Sequence, residues 1–297
     1  MKVSTAVIKV VYDNTEIFVD EVVGITSLFK YYMIVNNSNI QLNNDFRSIP
    51  NFKILDNHNL NGLAGAYNLA LSNLEDVDPQ FVLFLDDDTD SSSLFNLFDD
   101  NFYSVFENQL VAATAPIYID SNTLTRGSHM LLSTFTFKRI PRNYIGISQV
   151  SFMINSCSVW RYDALKEIGK YDEVMKIDHI DTDYCLRATE MGYGLILNSN
   201  YSFKHTIGNR ISYRFLFKSL RSGNHSPERR KMIMFNSILI LRKHVKRFPV
   251  LIYIIFERIF YELLGVIYAE DQKMNKIKMS LKGLFQGFFF SSKDLHT

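Results

Sequence analysis

The sequence predicts an α/β fold: a Rossmann-like, mostly parallel sheet with helices on both faces, followed by a C-terminal helical appendage. Three observations carry this. Short apolar runs alternate with longer amphipathic stretches from Ala6 to Leu85, a β-α-β-α-β order that calls for parallel strands and crossover helices. The run Phe81–Leu85 is apolar at every position, as in a strand covered on both faces. It ends in three consecutive carboxylates, Asp86, Asp87 and Asp88, and open α/β sheets bind ligands at the carboxyl ends of their strands.

Taken in order, Ala6–Tyr12 reads as the first strand, and Glu16–Lys30 is long enough for a crossover helix. Tyr32–Val35 is a strand ending in the turn-rich Asn36-Asn37-Ser38. Ile54-Leu55 is a short third strand. Asn61-Gly62-Leu63-Ala64-Gly65-Ala66 opens a helix through Leu71, with small residues that permit close backbone approach. After the Phe81–Leu85 strand, Val111–Ile119 is another, with Pro116 expected at an edge or bend, and Asp120–Gly127 is a connection. Val150–Ile154 is read as a strand and Tyr162–Ile168 as a helix stopped by Gly169. Asp181–Met191 is a helix stopped by Gly192, and Leu195–Asn198 a short last strand. Lys204-His205 is expected in a loop. Ile211–Arg221 is read as a basic amphipathic helix with Arg214, Lys218 and Arg221 on one face, and Pro227–His244 as a longer helix. The division expected is a catalytic domain at 1–209 and a helical, basic region at 210–297.

At 47% hydrophobic and 21% charged, the 297 residues are ordinary globular protein and argue against disorder. Only Cys157 and Cys185 occur, which excludes a disulfide framework or zinc spacing and fits a reducing compartment. Lys9 and Asp13 interrupt the apolar N-terminal stretch, and no signal peptide is read there. The formal net charge is +1, but the charges are segregated: twelve Lys or Arg and one acid between Lys204 and Arg247, and acids alone between Glu75 and Asp100. That pattern points to anionic partners, a diphosphate or lipid head groups, and nothing points to nucleic acid. Val250–Tyr268 is the most hydrophobic stretch, yet Glu257, Arg258 and Glu262 in its middle make it a buried or interfacial helix rather than a membrane span.

Two features carry chemistry. In an extended chain Asp86 and Asp88 share a face, and two such carboxylates suit a hard divalent cation that also takes phosphate oxygens. The alternative is that acids follow the strand because the chain has reached water, with Asp90 or Ser91 capping a helix. A calcium loop is excluded because Ser91 and Leu97 stand where Gly and Glu are needed. An aspartyl-nucleophile phosphohydrolase using Asp86 stays open, although Asp90 stands where such hydrolases have Thr or Val. The second feature is Asp178-His179-Ile180-Asp181-Thr182-Asp183 at a helix start, where free N–H groups keep a carboxylate ionised and able to act as a base; plain capping would account for one of these acids.

Several stretches together resemble the inverting nucleotide-sugar glycosyltransferases of family 2, with the GT-A fold, nearest the bacterial rhamnosyltransferase and galactofuranosyltransferase-like branch. They are the strand ending at Tyr12, Val35-Asn36-Asn37-Ser38, Gly62–Asn68, Leu85–Asp88, Ile154-Asn155-Ser156, Asp181–Arg187, His205-Thr206-Ile207-Gly208, and Pro227-Glu228-Arg229-Arg230 with Asn236. The resemblance spans about residues 5 to 247. Asn36 stands where the family usually has Asp, Leu60 where it has Asn and Phe235 where it has Arg; the first two bear on nucleotide preference.

The resemblance implies a function: transfer of a sugar, rhamnose before galactofuranose, from a nucleotide diphosphate to a saccharide or lipid-linked acceptor in cell-surface polysaccharide synthesis. It implies Mg²⁺ or Mn²⁺ held by Asp86, Asp88 and His205, and donor contacts from Tyr12, Asn36, Asn61, Gly62, Asp86 and Asp87. It implies Asp181 as the general base and acceptor contacts from Asn155, Ser156, Trp160 and Asp183. It places the protein in the cytoplasm, peripheral on the inner face of the cell membrane. A non-enzymatic nucleotide-binding or membrane scaffold on the same fold is the remaining alternative.

Overall fold

The structure is a computed structural model that describes residues 4–12, 17–42, 49–87, 89, 97–206, 211–216 and 218–291. The chain divides into two compact units. The first holds Met1–Leu131, Arg139–Lys176 and Ile180–Thr206; the second holds Leu132–Lys138, Ile177–His179 and Ile207–Thr297.

The first unit runs β1 (Thr5–Val11), α1 (Val19–Leu28), β2 (Tyr31–Asn36), β3 (Phe52–Asp56), α2 (Gly62–Ser72), β4 (Phe81–Asp86), α3 (Asp100–Tyr103) and β5 (Val111–Asp120). The chain continues through the short hairpin strands β6 (His129–Leu132) and β7 (Phe137–Ile140), of which Leu132, Phe137 and Lys138 count with the second unit. Then, in the first unit, come β8 (Ile147–Val150), β9 (Ser158–Arg161), α4 (Tyr162–Ile168), α5 (Ile180–Glu190) and β10 (Gly194–His205). Eight strands form one sheet in the order β3-β2-β1-β4-β9-β5-β10-β8. Pairing is parallel from β3 through β4 and between β5 and β10, and antiparallel where β9 and β8 join. The mostly parallel α/β sheet expected from the sequence is therefore present. Every residue of β1 is buried, as is every residue of β4 before Asp86, which is the burial that apolar runs without alternation require.

Four differences from the sequence reading have local causes. The central sheet contains β9, where no strand was expected; four residues carry no readable period. The strand expected at Val150–Ile154 is displaced to Ile147–Val150. Pro116 is not on an edge strand. It lies beyond the β9 pairing, which ends at Thr114, and at the register shift of β10 between Asn198 and Ser202, so the ladder tolerates it. The short strand expected at Leu195–Asn198 runs twelve residues, and His205 closes it instead of sitting in a loop.

The second unit contains the hairpin β11 (Ile211–Phe215) and β12 (Lys218–Ser222), then α6 (Pro227–His244), α7 (Leu251–Ala269) and α8 (Lys273–Phe289). The hairpin replaces the basic helix expected over Ile211–Arg221. Ile211, Tyr213 and Phe215 are half-buried while Ser212 and Arg214 are exposed, a period of two. Arg214 pairs with Ser219 and Arg221 with Ser212, while Lys218 stands opposite Phe215, so helical spacing no longer groups the three cations. Ser226 caps α6 by accepting from the Arg229 N–H, with Pro227 at its first turn. None of the described helices is long and apolar enough to cross a membrane.

Candidate active site

Parallel register brings the carboxyl ends of the first four strands to one edge. Val11 is level with Asn36, Asn36 with Asp56, and Val10 with Asp86. The chain turns directly after Asp86. The Asp86 N–H donates to Thr89 Oγ1 at 3.1 Å, and the Thr89 N–H returns to the Asp86 carbonyl at 3.2 Å. Thr89 Oγ1 and Ser156 Oγ share a hydrogen bond of 2.9 Å, which fastens the turn to the segment before β9. Asp87 Oδ2 accepts the Tyr12 N–H at 3.2 Å, tying the ends of β1 and β4 together. The Tyr12 ring itself is at the surface. Asp88 lies outside the described residues.

Asp181 is in the first turn of α5, where the helix dipole favours its ionised form. Its Oδ2 accepts the Asn155 N–H at 3.4 Å. The Asn155 amide donates to the Tyr171 hydroxyl at 2.9 Å, and the Tyr171 N–H donates to Asn68 Oδ1 at 2.8 Å. Tyr67, on α2, donates to Asp86 Oδ1 at 3.3 Å. Burial pushes the Tyr67 phenol well above its ordinary range, and the charges of Asp86 and then Asp181 push it further. Tyr171 is raised in the same way by burial, by Tyr184 and by Asp181. The strand-end acid and the helix-start acid are thus linked through a buried pair of tyrosines that stay protonated, Tyr67 donating to Asp86 and Tyr171 accepting from Asn155.

The remaining sequence-derived candidates fall into place around this centre. Asn36 is buried and saturated: its amide donates to Asp56 Oδ1 at 2.9 Å and the Ile40 carbonyl at 2.8 Å, and its oxygen accepts from Ser38. Asn61, in a left-handed conformation, donates to Glu173. Gly62 has φ +65°, and a Cβ there would meet the Lys176 carbonyl oxygen at 2.6 Å, so the glycine admits a neighbouring chain segment. The Ala64 N–H at the start of α2 donates to that same oxygen.

Two acceptor contacts implied by resemblance are corrected. Trp160 is fully buried in β9, donates to Ser158 Oγ and packs on Tyr184, which makes it core. Asp183 is buried and paired with Arg187 at 2.9 Å, and Arg187 also holds the Ile168 and Lys170 carbonyls, so this acid fastens α5. Asn155 and Ser156 are buried as well and act by holding Asp181 and the acidic turn.

Asp86 with Asp87 offers hard oxygen donors near the surface, a set that fits Mg²⁺ or Mn²⁺ shared with phosphate oxygens. His205 closes β10, and β9 and β5 lie between β10 and β4 in the sheet. Its ring lies against Tyr118 and Phe203, and no group of three metal-ligating side chains forms among the described residues. Sequence reasoning missed Asp56 and Tyr67. An acid closing a parallel strand could have marked Asp56; Tyr67 had no signal beyond its place in a small-residue helix.

No family model matches the chain. It is 23% identical over 265 residues to the dTDP-rhamnosyl transferase RfbF of Shigella flexneri, covering 86% of both chains. A crystal structure of GalNAc-T7 with UDP, GalNAc and Mn²⁺ matches 99% of this chain with a TM-score of 0.54 at 11% identity; the chain spans 57% of that one. The chain has the GT-A glycosyltransferase fold. In GT-A terms, Asp86-Asp87 closes the central strand of the sheet and Asp181 opens the helix that follows the β9–α4 segment. A structure of S. aureus TarS, residues 1–349, aligns over 98% of the chain at 16% identity with a TM-score of 0.45.

Proposed function

We propose that the chain is an inverting nucleotide-sugar glycosyltransferase, with rhamnose as the transferred sugar and a saccharide or lipid-linked glycan as acceptor. The observation that carries the reading is the chain of contacts that joins Asp86 to Asp181 within this fold: Tyr67 donates to Asp86 and packs on Tyr171, Tyr171 accepts from the Asn155 amide, and the Asn155 N–H donates to Asp181. Asp181, held by the Asn155 N–H, takes the proton of the acceptor hydroxyl. The acceptor oxygen forms its bond to the anomeric carbon as the bond to the diphosphate oxygen breaks, so the configuration inverts and a nucleoside diphosphate leaves. A positioned base supplies roughly 10²–10⁴-fold of such a rate. Asp86 and Asp87, with Asp88, would hold Mg²⁺ or Mn²⁺, which when bound offsets negative charge on the diphosphate. Tyr12, directly after β1, and Asn61, directly before α2, would contact the donor, with Asn36 acting through Asp56.

The choice of rhamnose rests on the sequence relation to a dTDP-rhamnosyl transferase; UDP-galactofuranose is the second donor. We place the chemistry in residues 1–209 and the reaction at the cytoplasmic face of the cell membrane, with residues 210–297 as the membrane-associating region. The test is a panel of nucleotide sugars with Mn²⁺ and membrane lipid extract, read as nucleoside diphosphate release. Release with dTDP-rhamnose above all others is expected. Inorganic phosphate from a phosphomonoester would assign a hydrolase, and metal-linked nucleotide binding without turnover a scaffold.

A further inference from the structure

Helix α8 packs with its small residues inward and its large apolar residues outward. Ser280, Gly283 and Gly287 are buried. A Cβ on Gly283 would stand 2.1 Å from the Lys231 carbonyl oxygen, and one on Gly287 2.7 Å from the Ile238 Cβ, so α6 and α8 touch along a seam that admits nothing larger. Arg242 of α6 closes the end of the seam by donating to the Gly287 and Phe290 carbonyls at 2.7 and 2.9 Å. The helix is thereby fixed in rotation. Its other side carries Met274, Leu281, Phe285, Phe288 and Phe289, between 53% and 81% exposed. Their spacings of seven, four, three and one put all five within one side of an α-helix.

A helix free to turn in water would bury its phenylalanines and expose its serine and glycines. A fixed, exposed aromatic face of this kind marks an interaction surface. Its charge selects the partner. Helix α8 has four lysines and no acid, with Lys278 and Lys282 exposed beside the aromatic residues. From residue 207 onward the chain has seventeen Lys or Arg against six Asp or Glu. A second copy would set like charge against like. An anionic lipid surface meets both features: basic side chains reach the head groups while the aromatic rings enter the boundary with the acyl chains. At about 25 Å, a helix of this length lies along such a surface.

We propose that α8 is the element that seats the protein on anionic lipid, lying in the plane of the surface with Leu281, Phe285, Phe288 and Phe289 inserted. This deepens the membrane placement proposed above and rests on it. The test is flotation of the full chain with phosphatidylglycerol–phosphatidylcholine vesicles and with pure phosphatidylcholine vesicles, over a range of salt. Wild type is expected to float with the anionic vesicles and to be released in part by salt. Phe285→Ser with Phe289→Ser, and separately Lys278→Glu with Lys282→Glu, are expected to lower partitioning at least about tenfold. Circular dichroism, melting temperature and nucleoside diphosphate release with a water-soluble acceptor are expected to stay as in wild type. Phe288→Trp gives a direct readout, a blue shift on adding anionic vesicles over the constant signal of buried Trp160. Wild type and both double variants floating alike overturns the α8 assignment and leaves the membrane placement standing. Wild type that never floats overturns both. A wild-type dimer that Phe285→Ser with Phe289→Ser makes monomeric gives the face to a second copy and overturns the lipid assignment.

Discussion

Tyr67 donates its phenolic hydrogen to Asp86 at 3.3 Å from within the core, while its ring packs edge-on against Phe84 of the same strand. The two residues are linked through side chain and sheet at once, so the orientation of Asp86 depends on a helix laid over the strand. Tyr67→Phe keeps the packing and removes the donor. We expect nucleoside diphosphate affinity in the presence of Mn²⁺ to fall about tenfold, the scale on which partners of a metal-binding carboxylate act, with the melting temperature little changed. Titration calorimetry measures it; unchanged affinity would show that the bond does not orient Asp86.

Replacing an acid of the strand-end group should act more strongly. Asp86→Asn, and equally Asp88→Ala, are expected to abolish Mn²⁺-dependent binding of nucleoside diphosphate. Calorimetry with and without metal checks this, and metal-dependent binding that persists in both variants removes the group from the metal site.

Asp181→Asn retains the shape of the side chain and the first turn of α5. Donor affinity should stay near wild type while transfer slows by at least about 10²-fold, as loss of a general base requires. Steady-state kinetics with a separate donor-binding measurement distinguishes the two. A wild-type rate would take Asp181 out of the mechanism.

His179 predicts an acid limit to stability. It is buried with Nε2 3.0 Å from Ser237 Oγ, and burial first, then the charge of Arg258, hold its pKa well below the ordinary 6.5. The unfolded chain binds a proton there that the folded chain refuses, so stability is complete above pH ~6.5 and falls as the pH drops, by up to about 1.4 kcal/mol per unit. Melting temperatures between pH 7.5 and 5 should decline in wild type and decline less in His179→Asn. Equal slopes would place the acid sensitivity elsewhere.

Arg230 is fully buried and pairs with Glu262 and with Glu270, which Lys276 also contacts at 2.9 Å. Arg230→Met takes one buried ion pair from Glu262 and one from Glu270, which keeps Lys276, and we expect a loss of about 3–5 kcal/mol. Urea unfolding would measure it. A loss under ~1 kcal/mol would mean the acids find other partners.

The sequence made the continuous apolar strands readable, because β1, β2 and β4 are covered on both faces and need no alternation. It made Asp86 and Asp181 readable, because charge stands out at the end of a strand and the start of a helix. It misled over Ile211–Arg221. There the spacing of three cations fits a helix while Ile211, Tyr213 and Phe215 fit a strand, and pairing with a partner strand decided for the latter. Ser-Val-Trp-Arg of β9 gave no signal, and Trp160 looked available only because its burial is made by residues far away in sequence. Helix α8 was equally silent, since its glycines and serine lower helix propensity and its apolar face points away from the core.

The placement of β9 has a consequence for synthesis. This four-residue strand joins β3-β2-β1-β4 to β5-β10-β8, pairing with β4 on one side and β5 on the other. A nascent chain emerging N-terminus first completes β4 some seventy residues before β9 exists. For that interval β4, the most apolar strand, is an open edge, and unpaired apolar edges are what aggregation and chaperones recognise. Translation pausing between Asp86 and Ser158 would prolong that exposure, and slow delivery of Ser158–Arg161 is expected to lower the yield of folded protein.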